Sequence, residues 1–420
     1  SLGLGWVCRT LRLNMADLGK EPYDIIIVGA GMVGASAACL LAQVQCTGQD
    51  KPLKIALIES VTASSFDNQT FDPRVAAVTE KSRQLLESCG VWQSIERLRA
   101  SPYLAMQVWD AESTGKIGFD CHAIHQPNLG HIVENSVIVQ ALLAEIETLD
   151  NIDLICPATI CEYQDEDDSI SVQLGDGRWL SAALLIGADG ANSKVRQHSK
   201  VETKEWSYHQ EAIVATIETR HSNQQTAWQC FTPKGPLALL PLNNNGDLRQ
   251  SSIVWSQESE TAKSLMNLSD EQFCAELSRA SEYCLGDVVS IEKRISFPLI
   301  QRHAIDYVMP RIALVGDAAH SIHPLAGQGV NMGFADIEVL VEELVRACSR
   351  GNDIGEKLIL TRYQRRRKPD NLAAMALMEA CNRLFIADQL PLRFLRSLGM
   401  STLNKSGTVK NELIKLAMGL

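Results

Sequence analysis

One run constrains this chain more than any other: Ile25–Ala42, IIIVGAGMVGASAACLLA, which carries no charge and is as long as a minimal membrane span. What precedes and punctuates it decides between a span and a buried segment. Tyr-Asp-Ile-Ile-Ile-Val, residues 23–28, has the β-branched character of a parallel strand covered on both faces. Gly29, Gly31 and Gly34 then follow at the spacing Gly-x-Gly-x-x-Gly. That spacing makes a tight turn, brings backbone close to a pyrophosphate, and packs the next helix on the sheet with its N-terminus toward the phosphate.

Alone the pattern is weak, and its context strengthens it. LKIALIES supplies a second strand ending at Glu59, 25 positions beyond Gly34. A ribose-binding acid is expected roughly 20 residues on, and the excess lies in the polar insert QCTGQDKP. The run therefore reads as a dinucleotide site, not as a span.

Two later stretches repeat the theme of a strand ending on a carboxylate. GADGANSKVR places Asp189 and Gly190 after the strand that follows a hairpin turn at Asp176-Gly177. GDAAHSIHPLAGQGVN places Asp317 after RIALVG, then Gly327, Gln328 and Gly329 ahead of the helix VNMGFADIEVLVEELVRAC. Taken alone, Asp317 reads as a capping aspartate. Together the three stretches read as one cofactor gripped from three distant places, with the helix N-terminus offering partial positive charge.

Between these stretches, SRQLLESCGVWQSIERL reads as helix, turn and helix, and NSVIVQALLAEIETL as a helix capped by Asn135 or Ser136. From about Trp206 to Ile300, HQEAIVATIETR, GPLALLPL and RQSSIVWS read as antiparallel strands, helices thin out, and NNNGD forms a turn. A β-rich insertion into an α/β domain is a natural cover for a cofactor.

Charge and cysteine usage exclude other classes. With 39 basic and 50 acidic residues the net charge is -11, which argues against nucleic acid as a partner. Twelve cysteines are scattered from Cys8 to Cys381 without a Cys-x-x-Cys pair. Cys156 and Cys161 come nearest, so neither zinc nor a redox disulfide is expected, and the thiols read as reduced. His320 and His323 lack further ligands and read as packed or cofactor-adjacent rather than metal-binding. Residues 1–14 read as an extension upstream of a start at Met15, with arginines interrupting any signal-peptide core.

The three stretches, with FDPRVAAVT and LGHIVENSVI, resemble the aromatic-ring flavoprotein monooxygenases of the para-hydroxybenzoate hydroxylase fold, and among them the ubiquinone-biosynthesis hydroxylases. GVWQSI, MQVWD, LGHIVENSVI, LVGDAAHSIHPLAGQGVNMGFAD and DIGEKLILTRYQRRRK are most similar to the bacterial 2-polyprenylphenol (2-octaprenylphenol) hydroxylase branch. The resemblance runs from Tyr23 to the C-terminus. It implies an α/β fold with a Rossmann-like FAD-binding domain in two parts, 21–200 and 301–360. A β-rich substrate domain at 201–300, joined by part of 70–125, is inserted between them. An N-terminal extension, 1–20, and a C-terminal helical segment, 361–420, flank these.

Carried over, Gly29, Gly31, Gly34 and Glu59 hold the adenosine half of FAD and Arg74 lies near the flavin. Asp189 and Gly190 touch both FAD and a nicotinamide donor, and Asp317 meets the ribityl chain. Pro324, Gly327, Gln328, Gly329 and Asn331 line the ring. Asn135 stands where many relatives have a flavin-contacting arginine.

The implied activity is hydroxylation of a polyprenylated phenol through a flavin hydroperoxide, using dioxygen and electrons from NAD(P)H, taken directly or through a partner reductase. No residue is singled out as a base. A sister hydroxylase acting at another ring position, a flavin-dependent dehydrogenase or prenyl reductase, and a non-catalytic assembly component of the biosynthetic complex are the alternatives.

The implied location is cytoplasmic, peripheral at the inner membrane and beside other ubiquinone-biosynthesis proteins. The basic cluster Arg362, Arg365, Arg366, Arg367 and Lys368 and the apolar, basic stretches LPLRFLRSLGM and VKNELIKLAMGL suit such a surface. The basic cluster reads equally as a solvated helix end before Pro369, and the two C-terminal stretches by default as packing on their own domain. A tunnel for the tail is expected along Leu237–Leu242, with Leu239 in its wall.

Overall fold

The computed structural model describes residues 22–48, 52–63, 70–321, 329–386 and 411–412. The N-terminal extension, LPLRFLRSLGM, and VKNELIKLAMGL apart from Asn411 and Glu412 lie outside them, as do His323, Pro324, Gly327 and Gln328.

The charge-free run divides where its residues dictate, into the strand Tyr23–Val28 and the helix Met32–Leu41. The strand is central in its sheet. It pairs in parallel with Ile55–Ile58 on one side and Trp179–Gly187 on the other, and Ile152–Ile155 and Ile312–Leu314 extend the parallel set. Ile25, Ile26 and Ile27 are fully buried, as strands covered on both faces must be. Among the described residues no helix is long and apolar enough to cross a membrane.

A second sheet is built mainly from Thr203–Thr219, Thr226–Thr232, Gly235–Pro241, Gln250–Glu258 and Ile295–Ala304, with Ala105–Asp110 and Lys116–Asp120 recruited at one end. Its strands alternate. Ile213, Ala215, Ile217, Leu237, Leu239 and Trp255 face outward, into a core closed by Phe273 and Leu277. The helices Ser259–Met266 and Asp270–Ala280 provide that cover, so the region is less helix-poor than its strand patterns suggest. Ala212, Val214, Ala238, Leu240 and Val254 face the other way, against Phe71, Ala77 and Ile132. Leu239 thus points away from the expected tunnel, because side chains change face at every residue of a strand.

Phe71 leads into a small third sheet, Val75–Val78, Ser101–Tyr103 and Gly130–Glu134, which lies between the two cores. The final described long helix, Lys357–Ile386, runs straight through Pro369 instead of ending before it. Side chains on either side of the proline hold the turn from its flank: Arg367 bonds Asp336, and Asn371 bonds the same carboxylate. The 360/361 domain boundary falls inside this helix.

The cysteines depart from expectation at one place. Cys46, after the Met32–Leu41 helix, is bonded to Cys348, the last residue of the Gly329–Cys348 helix. Two helices that start at neighbouring turns finish side by side, and Thr47 donates from its backbone to Cys348 O at 3.0 Å.

Candidate flavin site

The three glycines of the first turn do different jobs. Gly29 has φ +100°, and a Cβ there would stand 2.4 Å from Ala188 O. A Cβ at Gly34 would stand 1.9 Å from Gly29 O, so this residue sets the contact between helix and strand. Among the described residues Gly31 has nothing within 4 Å of its Cβ position, which leaves room for close approach to its backbone. Glu59 closes the neighbouring strand end, accepting from Ala30 N at 2.7 Å and Val61 N at 3.0 Å. A carboxylate offers about four lone-pair positions, which leaves capacity for ribose hydroxyls. Beside these residues lies a cavity of about 350 Å³ whose lining includes Gly31, Glu59, Tyr163, Asp189, Gly190 and Lys194.

Asp189 is both a cap and a wall of that cavity. Its carboxylate accepts from Ser193 Oγ at 2.5 Å, Lys194 N at 2.7 Å and Val195 N at 3.2 Å, starting the short Lys194–His198 helix. Gly190, at φ +75°, also has no neighbour within 4 Å of its Cβ position. Arg196, buried, reaches across to donate to Ala191 O at 2.6 Å and Ala318 O at 2.7 Å, joining this loop to the Asp317 turn.

Asp317 follows Gly316, whose φ is +58°. Its side chain reaches solvent, and the atoms packed around it push its carboxyl above the ordinary range by desolvation, opposed by His320 and reinforced by Asp336. The His320 Nε2 atom is taken by Asp336 at 2.5 Å, which gives this histidine the packed role expected of it.

Arg74 and Asn135 stand side by side: Asn135 N donates to Arg74 O at 3.1 Å, at the edge of the small sheet. Asn135 opens the helix Asn135–Ile146 without capping it, since the cap position is Glu134 and has no side-chain cap bond. The Asn135 Oδ1 atom is buried with no described partner. Gly329 begins the Gly329–Cys348 helix, and among the described residues nothing lies within 4 Å of its Cβ position. Asn331, two residues on, uses its amide within the protein: Nδ2 donates to Ala77 O at 2.8 Å and Oδ1 accepts from Ser82 Oγ at 2.7 Å.

Gly29, Gly31, Glu59, Asp189 and Gly190 line one cavity at the ends of the parallel strands, as the adenosine half of an elongated dinucleotide cofactor requires. FAD fits these residues. The sequence reading missed Arg196, Asp336, Arg367 and Asn371. Asp336 left one trace: it lies among Gly333, Phe334, Ile337 and Leu340, a carboxylate in the apolar stripe of its helix.

Comparison with known proteins agrees with this geometry. The FAD binding domain family model matches residues 22–378. Among solved structures, p-nitrophenol 4-monooxygenase PnpA from Pseudomonas putida DLL-E4 superposes with a TM-score of 0.75 at 17% identity, covering 94% of this chain and 96% of that one. PqsL of Pseudomonas aeruginosa, a probable FAD-dependent monooxygenase, gives 0.72 at 20% identity, covering 91% and 100%. The chain is an FAD-dependent monooxygenase.

Its curated relatives narrow the family. It is 37% identical to the 3-demethoxyubiquinol 3-hydroxylase of Escherichia coli over 403 residues, 96% of this chain and 100% of that one. It is 35% identical to the mitochondrial ubiquinone biosynthesis monooxygenase COQ6 of Xenopus tropicalis, over 96% of this chain and 95% of that one. The chain belongs to this family of ubiquinone-biosynthesis hydroxylases.

Proposed function

We propose that the protein hydroxylates the ring of a polyprenylated quinol or phenol on the route to ubiquinone, consuming dioxygen and electrons that originate in NAD(P)H. A ring C–H, dioxygen, NAD(P)H and a proton become ring C–OH, water and NAD(P)+. The observation that carries the reading is the match to FAD-binding and ubiquinone-hydroxylase relatives along nearly the whole chain, with Asp317 exposed at the turn that follows the Ile312–Leu314 strand. The named relative supports a demethoxylated quinol as substrate, and the stretches GVWQSI and MQVWD support a polyprenylphenol as the second reading.

When bound, the flavin supplies the redox chemistry that activates dioxygen for transfer of one atom to the ring. The chain supplies the rest. Glu59 and the Gly31 turn would hold the adenosine half, Asp317 would accept from the ribityl hydroxyls, and Arg74, Asn135 and Gly329 would border the ring. Asn331 braces that border from behind through Ala77 and Ser82. Ala212, Val214, Ala238 and Leu240 pack with Phe71, Ala77 and Ile132 into an apolar core beside the small sheet, and a ring bound against it would be shielded from water.

Membrane contact follows from a tail that resides in a bilayer. Much of the basic cluster is used internally: Arg366 pairs with Glu342 at 2.7 Å, Arg367 with Asp336 at 2.9 Å, and Lys368 bonds Ile305 O. Arg365, with Leu372 and Leu377 at 44% and 64% exposure, supports contact through the outer side of the Lys357–Ile386 helix.

The test is mass spectrometry of quinone intermediates in cells lacking the protein, complemented with the wild type or Asp317→Ala. A demethoxylated quinol that accumulates and is relieved only by the wild type supports the leading reading. Accumulated polyprenylphenol supports the second. An unchanged quinone pool overturns both, and rescue by Asp317→Ala would point to a non-catalytic role in assembly.

A further inference from the structure

Asp336 lies directly beneath the turn that presents Asp317, and it is fully buried. It accepts four hydrogen bonds. Oδ2 takes Gly316 N at 3.1 Å and His320 Nε2 at 2.5 Å, while Oδ1 takes Arg367 Nε at 2.9 Å and Asn371 Nδ2 at 3.0 Å. The first pair comes from the two ends of the Gly316–His320 turn, and the second pair from the Lys357–Ile386 helix.

An uncompensated carboxylate at this depth would take up a proton. Burial pushes Asp336 in that direction, but His320, Arg367 and Asn371 outweigh it and hold the carboxyl below its usual range. Arg196 adds a grip at the middle of the turn through Ala318 O at 2.7 Å. The turn is thus held at residues 316, 318 and 320. Among the described residues no hydrogen bond takes up the Asp317 carboxylate itself.

The long helix contributes more than one contact to this segment. Tyr363 Oη donates to Leu314 O at 2.8 Å, Gln364 Oε1 accepts from Tyr307 N at 2.6 Å, and Lys368 Nζ donates to Ile305 O. Tyr363 thus holds the Ile312–Leu314 strand that leads to Asp317, and Gln364 and Lys368 hold the segment that precedes it.

We propose that Asp336, bonded by Arg367 and Asn371, is a positioning residue for the flavin: it fixes the Gly316–His320 turn so that Asp317 faces the ribityl chain. Cofactor affinity then depends on a helix that does not itself reach the cofactor. The proposal rests on the reading of Asp317 as a flavin ligand.

The test titrates full-length apoprotein with FAD and, separately, with ADP, which occupies only the Gly31 and Glu59 half of the site. Asp336→Asn and Arg367→Met are compared with wild type, with Asp317→Ala, and with Arg366→Met as a neighbouring control. Asp336→Asn and Arg367→Met are expected to weaken FAD about tenfold or more, a difference of about 1.4 kcal/mol, with ADP binding unchanged. Arg366→Met is expected to leave both unchanged. ADP binding also reports folding, so if Asp336→Asn loses it, Arg367→Met decides. Unchanged FAD affinity in Arg367→Met, or parallel loss of FAD and ADP in that variant, overturns the proposal. If Asp317→Ala binds FAD as tightly as wild type, the underlying reading of Asp317 is what fails.

Discussion

A methyl group at Gly34 would collide with the carbonyl oxygen of Gly29, whereas one at Gly31 would meet none of the described residues. Gly34→Ala is therefore expected to lower the melting temperature of the apoprotein. Gly31→Ala should leave that temperature unchanged and weaken FAD binding, and comparison of melting curves with FAD titrations separates the two. His303 offers a second test. Buried, and facing His320, Lys368 and Lys204, it is pushed down to about pH 4 by desolvation first and those cations second. A depressed histidine favours the folded state above its unfolded value of about 6.5, and that contribution is lost as pH falls toward 4. Thermal melts between these values should show a shallower acid loss for His303→Gln than for wild type. An equal slope would remove His303 from the account. The glycines were legible in the sequence because each obeys a spacing with a mechanical reason. Arg196 and Asp336 were not, because their partners come from turns and helices distant in sequence.

At the scale of elements, strand identity was readable and strand facing was not. The alternating run GPLALLPL announces a strand, but which parity faces the cofactor depends on helices that cover the other side. Leu239 lies in that outer core, so Leu239→Ala should cost about 2–5 kcal/mol by leaving a cavity, measurable by urea unfolding. Ala238, one residue earlier, faces inward. Ala238→Trp is expected to abolish turnover of a long-tailed substrate while FAD stays bound, and unimpaired turnover would move the tail elsewhere. Pro369 gave a misleading stop signal for a related reason. The missing backbone bond at a proline is a local loss of roughly 3 kcal/mol, and ion pairs and hydrogen bonds from Arg367, Lys368 and Asn371 stabilise the same two turns.

For the whole molecule, the resemblance conveyed a flavin domain with an inserted sheet but not how tightly the two parts are joined. Several of the described contacts cross between them. Arg302 of the large sheet bonds Ala191 O of the Asp189 loop, Tyr208 bonds Glu379 of the long helix, and the residues after Asp317 become a strand, His320–Ser321, of the large sheet itself. If the lid and the cofactor domain share backbone in this way, ordering one must order the other. Linkage then imposes a symmetry: whatever factor FAD adds to the affinity for the ring, the ring adds to the affinity for FAD. A lipid-soluble substrate is awkward to titrate. Because His320–Ser321 belongs to both halves, its binding can instead be followed from the aqueous side, as a change in how tightly a yellow, water-soluble cofactor is held.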